Sequence, residues 1–194
     1  MNKILLCLFV VAFSFATYAQ TESQHLTFKN VPIDGTLNVF VANMKAQGFI
    51  AKVDRGGKAT LYGDFAGYKD CEIYVYTLQN KDLVSTIAVL FPECSNWSTL
   101  ENNYLKLKSM LTQKYGEPAE VVEEFQNKYA EDDDNSKLHE LRMDRCNFTT
   151  IFKTDKGQLI LKMVADNYSD CHVLLSYYDR INRMVVEAAA LEDL

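Results

Sequence analysis

The sequence predicts an α+β protein built as two tandem helix-then-antiparallel-sheet units, with the helices on one face of the sheets. Three observations carry this. Apolar residues recur at helical spacing in two separate stretches, strand-like runs follow each stretch, and a six-residue pattern from the first unit returns in the second. Composition fits a globular chain: 194 residues, 48% hydrophobic, 12% aromatic and 24% charged. A net charge of −6 with scattered Lys and Arg gives no electrostatic footprint for nucleic acid.

The chain opens with an address. Lys3 supplies a positive start, Ile4 to Phe15 form an apolar run broken only by Ser14, and Ala19 is the small exit residue before Gln20. This pattern predicts a signal peptide over 1–19 and a secreted or periplasmic protein. The run is shorter than the ~20 residues a membrane helix needs, so no stable span is expected after the leader is removed. Leu6 ahead of Cys7 is too large for a lipidation site, and Cys7 sits inside the apolar run.

The first unit is expected over 20–92. Asp34 is placed to cap a helix whose apolar positions are Leu37, Phe40, Val41 and Met44, with Gly48 ending it. Ala59–Phe65, Cys71–Leu78 and Leu83–Phe91 then read as strands, broken near Gly67, Asn80 and Pro92. The second unit is expected over 93–180. Trp97, Leu100, Tyr104, Leu107, Leu111 and Tyr115 form one helical stripe; Ser98 and Glu101 match a capping box, and Gly116 with Pro118 stops the helix.

Strands are expected at Ala119–Phe125, Leu138–Lys153, Gln158–Ala165 and Cys171–Asp179. Turns are expected at Thr154–Gly157 and Asn167–Asp170. Residues 181–194 can form a short helix or trail as a tail. Tyr68-Lys69-Asp70-Cys71-Glu72-Ile73 returns as Tyr168-Ser169-Asp170-Cys171-His172-Val173, each copy entering a strand, which supports tandem duplication.

Several short segments carry a resemblance: Asp64-Phe65-Ala66-Gly67-Tyr68-Lys69-Asp70-Cys71, Trp97 to Leu100, Lys114-Tyr115-Gly116-Glu117-Pro118, Tyr178-Asp179 and Asn182. Together they resemble small secreted proteins of unknown function from gut Bacteroides-type bacteria. The resemblance implies no activity and no catalytic residue. The expected layout is also similar to that of the β-lactamase inhibitory protein, whose two repeats join into a concave sheet that grips an enzyme. That likeness concerns architecture alone.

Motifs for chemistry are sparse. The sequence has no G-x-S-x-G elbow, H-E-x-x-H helix, glycine-rich phosphate loop or C-x-x-C pair. No metal or cofactor is expected, and the three histidines His25, His139 and His172 read as surface or strand residues. Cys171 and His172 are adjacent in a strand, where neighbouring side chains point to opposite faces and cannot form a dyad. The acidic loop at 131–134 lacks the EF-hand pattern, since Lys137 and Met143 stand where Gly and Glu are required. It reads as a solvated charge run.

Four cysteines remain beyond the leader: Cys71, Cys94, Cys146 and Cys171. An oxidising compartment would allow three complete pairings among them. A hairpin centred near Asn80 puts Cys71 opposite Val89, with Cys94 a few residues beyond, so Cys71–Cys94 is the favoured disulfide. Cys146 is expected two strands from Cys171, roughly 9–10 Å away.

One surface stands out. Strict alternation puts Leu61, Ile73, Val75, Ile87 and Val89 on one side of the first sheet, and Tyr62, Glu72, Tyr74 and Tyr76 on the other. His172 and Tyr178 fall on the matching side of the second. These six are the expected binding residues. Helices on one side leave the other wet, and tyrosine brings a flat apolar body with a polar tip to such a face. The reading is an extracytoplasmic binding or inhibitor-like module without a catalytic centre, whose partner is a protein or another extracytoplasmic ligand. The alternative is a secreted hydrolase whose carboxylates converge only in three dimensions.

Overall fold

A computed structural model of the chain describes residues 23–53, 56–78, 81–126, 133–166 and 170–192. The expected leader over 1–19, Asn80, Glu131, Asp132 and residues 167–169 of an expected turn therefore lie outside the described residues. The fold is α+β: four helices, one eight-stranded antiparallel sheet and a small two-stranded sheet among the described residues.

In chain order the elements are β1 (Thr27–Phe28), β2 (Val31–Pro32), α1 (Leu37–Ala46), β3 (Ile50–Val53), β4 (Lys58–Phe65), β5 (Tyr68–Thr77) and β6 (Val84–Leu90). Then come α2 (Trp97–Tyr115), β7 (Glu120–Phe125), α3 (Asp134–Arg142), β8 (Cys146–Lys153), β9 (Gly157–Asp166), β10 (Asp170–Asp179) and α4 (Arg180–Glu192). The large sheet runs β3-β4-β5-β6-β10-β9-β8-β7. Its seam is β6 against β10, with Leu90 opposite Leu174 and Thr86 opposite Tyr178.

α2 forms because its apolar residues repeat along one face: Trp97, Leu100, Tyr104, Leu107 and Leu111 are all buried. Its cap differs from expectation. The Asn96 side chain accepts from Thr99 N–H at 2.8 Å, while Ser98 donates through N–H and Oγ to Asp134 at the start of α3. Asn96 has the extended backbone an N-cap needs, which frees Ser98 to tie the two helices together. Gly116, at φ 86°, ends α2 where an L side chain would be strained. In the first half, Thr36 rather than Asp34 caps α1. Asp34 faces His25 and Asn182 instead, at 3.6 and 3.4 Å.

Two further expectations are corrected. The strand expected over Leu138–Lys153 is helix up to Arg142, because Asp133 caps α3 by accepting from Asn135 and Ser136 and the helix buries Leu138 and Leu141. Part of the expected acidic loop is thus a helix start. The C-terminal choice resolves as helix: Asp179 accepts from Asn182 N–H at 2.9 Å and so caps α4. β3, at the sheet edge, and the β1–β2 pair were not anticipated.

The β4–β5 hairpin explains the Asp64–Cys71 segment. Phe65 pairs with Tyr68 across a two-residue loop, Ala66-Gly67, in which both residues have positive φ. That is the hairpin turn whose twist matches the strands. The Asp64 carboxylate accepts from Asp70 N–H, bracing the turn.

The two faces of the large sheet differ. Ala59, Leu61, Ile73, Val75, Ile87, Val89, Leu175 and Leu161 line one face and are at most 1% exposed. Trp97 stacks edge-on to Phe148, and Tyr104 exchanges a hydroxyl hydrogen bond with Thr150, so α2 covers this face over β8. Gly63 lies on it too. A Cβ there would strike the Phe49 ring at 2.6 Å, so the absence of a side chain lets the segment after α1 pack directly on β4.

Candidate functional site

The opposite face is built by the alternate residues of the same strands. Cross-strand register sets them in rows: Tyr62 faces Glu72, and Glu72 faces Leu90; Tyr74 lies between Thr60 and Ala88, with Ser176 next; Tyr76 lies between Lys58 and Thr86, with Tyr178 next. Tyr62 and Tyr76 are 37% and 41% exposed, while Thr60, Ala88 and Ser176 between them are only 7%, 9% and 6% exposed. Large rings therefore stand around a floor of small side chains, a shallow aromatic trough rather than a closed pocket.

Local contacts order the rings. The Tyr74 hydroxyl donates to Glu72 at 2.6 Å, and Tyr74 stacks with Tyr76 at 6.5 Å between centroids. Burial, then the adjacent Glu72 carboxylate, holds the Tyr74 phenol well above its ordinary range. At neutral pH Tyr74 is thus a neutral donor that fixes Glu72.

His172 is on the same face, two rows beyond Ser176 along β10, and its Nδ1 lies 2.8 Å from the Phe91 carbonyl. A carbonyl only accepts, so Nδ1 carries the proton and the ring is pinned. His172 is therefore anchored at the end of the trough rather than placed among the tyrosines. The expected residues divide accordingly: Tyr62, Glu72, Tyr74, Tyr76 and Tyr178 lie in three adjoining rows, and His172 lies one row beyond the row of Tyr62, Glu72, Leu90 and Leu174.

Beside Tyr76 a cleft of about 680 Å³ adjoins this face, with Lys58, Lys81 and Asp82 among its lining residues. Asp82 accepts from Leu37 N–H at 2.9 Å, so the carboxylate serves the start of α1. Sequence reading missed this cleft and the floor residue Thr60. A signal for the cleft was present in Gly56-Gly57 ahead of Lys58, a pair that forces a loop beside the strand start.

The cysteines lie on the other, helix-covered side. All four are free thiols and buried. Cys71 is opposite Gly63, with its sulfur 3.8 Å from the Tyr68 carbonyl, and burial pushes its pKa up to about 11. Cys94 accepts a hydrogen bond from Asn103 Nδ2 at 3.3 Å and stands opposite Cys171, not Cys71. Burial also raises Cys146, to about 12. No set of His, Cys, Asp and Glu among the described residues is arranged to hold a metal ion, and no helix there is long and apolar enough to cross a membrane.

Comparison with family models, curated proteins and solved structures gave no match.

Proposed function

We propose that this protein is an extracytoplasmic binding or inhibitor-like module that takes a protein partner on the open tyrosine-bearing face. The supporting observation is the trough itself: Tyr62, Tyr74, Tyr76 and Tyr178 around Thr60, Ala88 and Ser176, with Tyr62 and Tyr76 well exposed. Rigid aromatic rings lose little side-chain entropy on binding and dominate interface hot spots, and a flat floor suits a protein surface better than a small molecule. The extracytoplasmic setting rests on Lys3, the Ile4–Phe15 run and Ala19.

The two-unit reading belongs to the same proposal. Each half would be a helix followed by strands, with the last strands, β6 and β10, meeting at the seam; the strand order, which mirrors about that seam, supports it. Duplication would then give one wide face from two small sheets.

Among the described residues, the two buried carboxylates give the hydrolase alternative no support. Asp179 accepts from Leu26 N–H and Asn182 N–H and contacts His25, and Glu140 pairs with Arg145 at 2.8 Å. Both act as structural clamps, and they belong to different parts of the chain.

The test is capture of a partner from the native envelope fraction with tagged protein, then titration of that partner against single-site variants. Tyr62→Ser and Tyr76→Ser should each weaken binding about 30-fold, as expected for hot-spot aromatics, with the fold retained. A partner bound equally tightly by both variants would overturn this reading.

A further inference from the structure

Cys94 and Cys171 face each other in an antiparallel bridge outside the named strand pairs, with Cys94 N–H donating to the Cys171 carbonyl at 2.8 Å. Their relative exposures are 4% and 0%, so both side chains are turned into the helix-covered side. Facing residues of an antiparallel pair have Cα atoms about 4.5–5.5 Å apart. A disulfide spans about 4.4–6.8 Å.

The other thiols fit worse. Cys71 faces Gly63, and its sulfur lies against the carbonyls of Phe65, Tyr68 and Lys69. Cys146 is on β8, opposite Phe125 of β7, and β9 lies between β8 and β10. Two strand spacings are about 9–10 Å, beyond the reach of a disulfide.

We propose that Cys94 and Cys171 are joined by a disulfide when the chain folds in an oxidising medium, stapling the segment after β6 to the start of β10. The co-reactant is a small-molecule disulfide of the oxidised-glutathione class. One cysteine loses its proton and its thiolate attacks that disulfide, forming a mixed disulfide and expelling one glutathione thiolate. The second cysteine, as thiolate, attacks the protein sulfur of the mixed disulfide and expels the other. Two protein thiols are oxidised, one glutathione disulfide is reduced to two thiols, and the two protons pass to the released thiolates.

Burial raises both thiols in the folded protein, more than the Arg142 guanidinium beside Cys171 lowers that one. The exchange therefore belongs to folding, while the segment is still open, and the closed fold then protects the product. The link would enclose α2, β7, α3, β8 and β9 in one covalent loop and lock the β6–β10 seam, on which Thr86, Ala88, Ser176 and Tyr178 sit.

The test unfolds the full chain in denaturant with reductant, then refolds it in a reduced/oxidised glutathione buffer. Acid quenching, alkylation and non-reducing peptide mapping follow. A Cys94–Cys171 peptide should dominate, with Cys71 and Cys146 alkylated. Reductant should then lower the Tm by on the order of 10 °C, as loss of a long-loop crosslink in a chain of this size implies. That difference should vanish in Cys94→Ser and Cys171→Ser and persist in Cys71→Ser and Cys146→Ser. Should the serine variants fail to fold, the peptide map and reductant-dependent melting of the unsubstituted chain decide alone. Cys94 and Cys171 both alkylated, or linked instead to Cys71, Cys146, Cys7 or a second chain, would overturn the proposal.

Discussion

Adjacent residues of β5 have opposite surroundings. Cys71, Ile73 and Val75 are fully buried under the helices, while Glu72, Tyr74 and Tyr76, each a single position away, look out over the trough. The backbone and its ladder are shared, so only the direction of the side chain separates a core position from a surface one. The difference teaches that one set of backbone hydrogen bonds supports two unlike surfaces, a packed core and an open aromatic face. Apolar burial on one face holds the strands in place, which leaves the other face free to carry rings with little bearing on stability.

The sharpest way to break that comparison is to truncate neighbours. Ile73→Ala removes fully buried methylenes and should cost about 2–5 kcal/mol, as in other cores. Tyr76→Ser, three residues on and on the other face, should cost no more than roughly 1 kcal/mol, the scale of a cross-strand pair. Denaturant melts of the two variants give both numbers, and equal losses would mean that the open face is a second core. Leu107→Ala, on the buried stripe of α2, should resemble Ile73→Ala.

A smaller effect tests the polar content of the helix face. Tyr104 and Thr150 share a hydroxyl hydrogen bond, and both are 0% exposed. Tyr104→Phe keeps the ring but strands the Thr150 hydroxyl, so about 1–3 kcal/mol should be lost. A Tyr104→Phe/Thr150→Val double variant should recover part of it. No recovery would show that the hydroxyls do not act as a pair.

Burial also holds the Tyr104 and Tyr177 phenols above their ordinary range. A raised folded-state pKa favours the protonated form, so its contribution is complete below the unfolded value of about 10 and is lost as pH rises above it. Unfolding midpoints should fall from about pH 10 upward. Tyr177→Phe should flatten that alkaline decline, and an unchanged slope would remove Tyr177 from the cause.

Much of this division was legible in the sequence, for a reason of parity. A tighter hairpin would oppose Ile73 to Ile87, whereas the structure opposes Ile73 to Val89. A slip of two residues conserves the face of every side chain, so the buried and open sets emerged intact even though the register did not. The disulfide expectation was less tolerant, because a pair of cysteines needs its actual opposite residue. The two-residue slip sets Cys71 level with Phe91 rather than Val89, nearer to Cys94 along the chain, yet the residue that Cys94 faces is Cys171 of β10. Caps were missed where several acceptors compete within a few residues, as at Asp34 and Thr36 or at Asn96 and Ser98. Local sequence offers each as a cap, and only tertiary partners such as Asn182 and Asp134 choose between them. β3 has only four residues at the sheet edge, and so has too short an alternation to register as a strand.

The smallest expected effect lies at an exception to the two-face rule on the edge strand. By register Glu123 of β7 sits on the helix side, two positions from Val121, which faces Thr150. A carboxylate is tolerated there because β7 is an edge strand and α2 brings Lys108 to it, at 2.7 Å. Both side chains keep part of their surface in water, 23% for Lys108 and 30% for Glu123, so hydration competes with the pair and salt screens it. Lys108→Ala should therefore change stability by no more than about 0.5 kcal/mol. A double-mutant cycle with Glu123→Ala should return a coupling of about 0.2–1 kcal/mol that shrinks in molar salt. A coupling of several kcal/mol, insensitive to salt, would place this pair in a dry environment. The helix-covered face would then extend as true core to the outermost strand, and β7 would be an edge in topology alone.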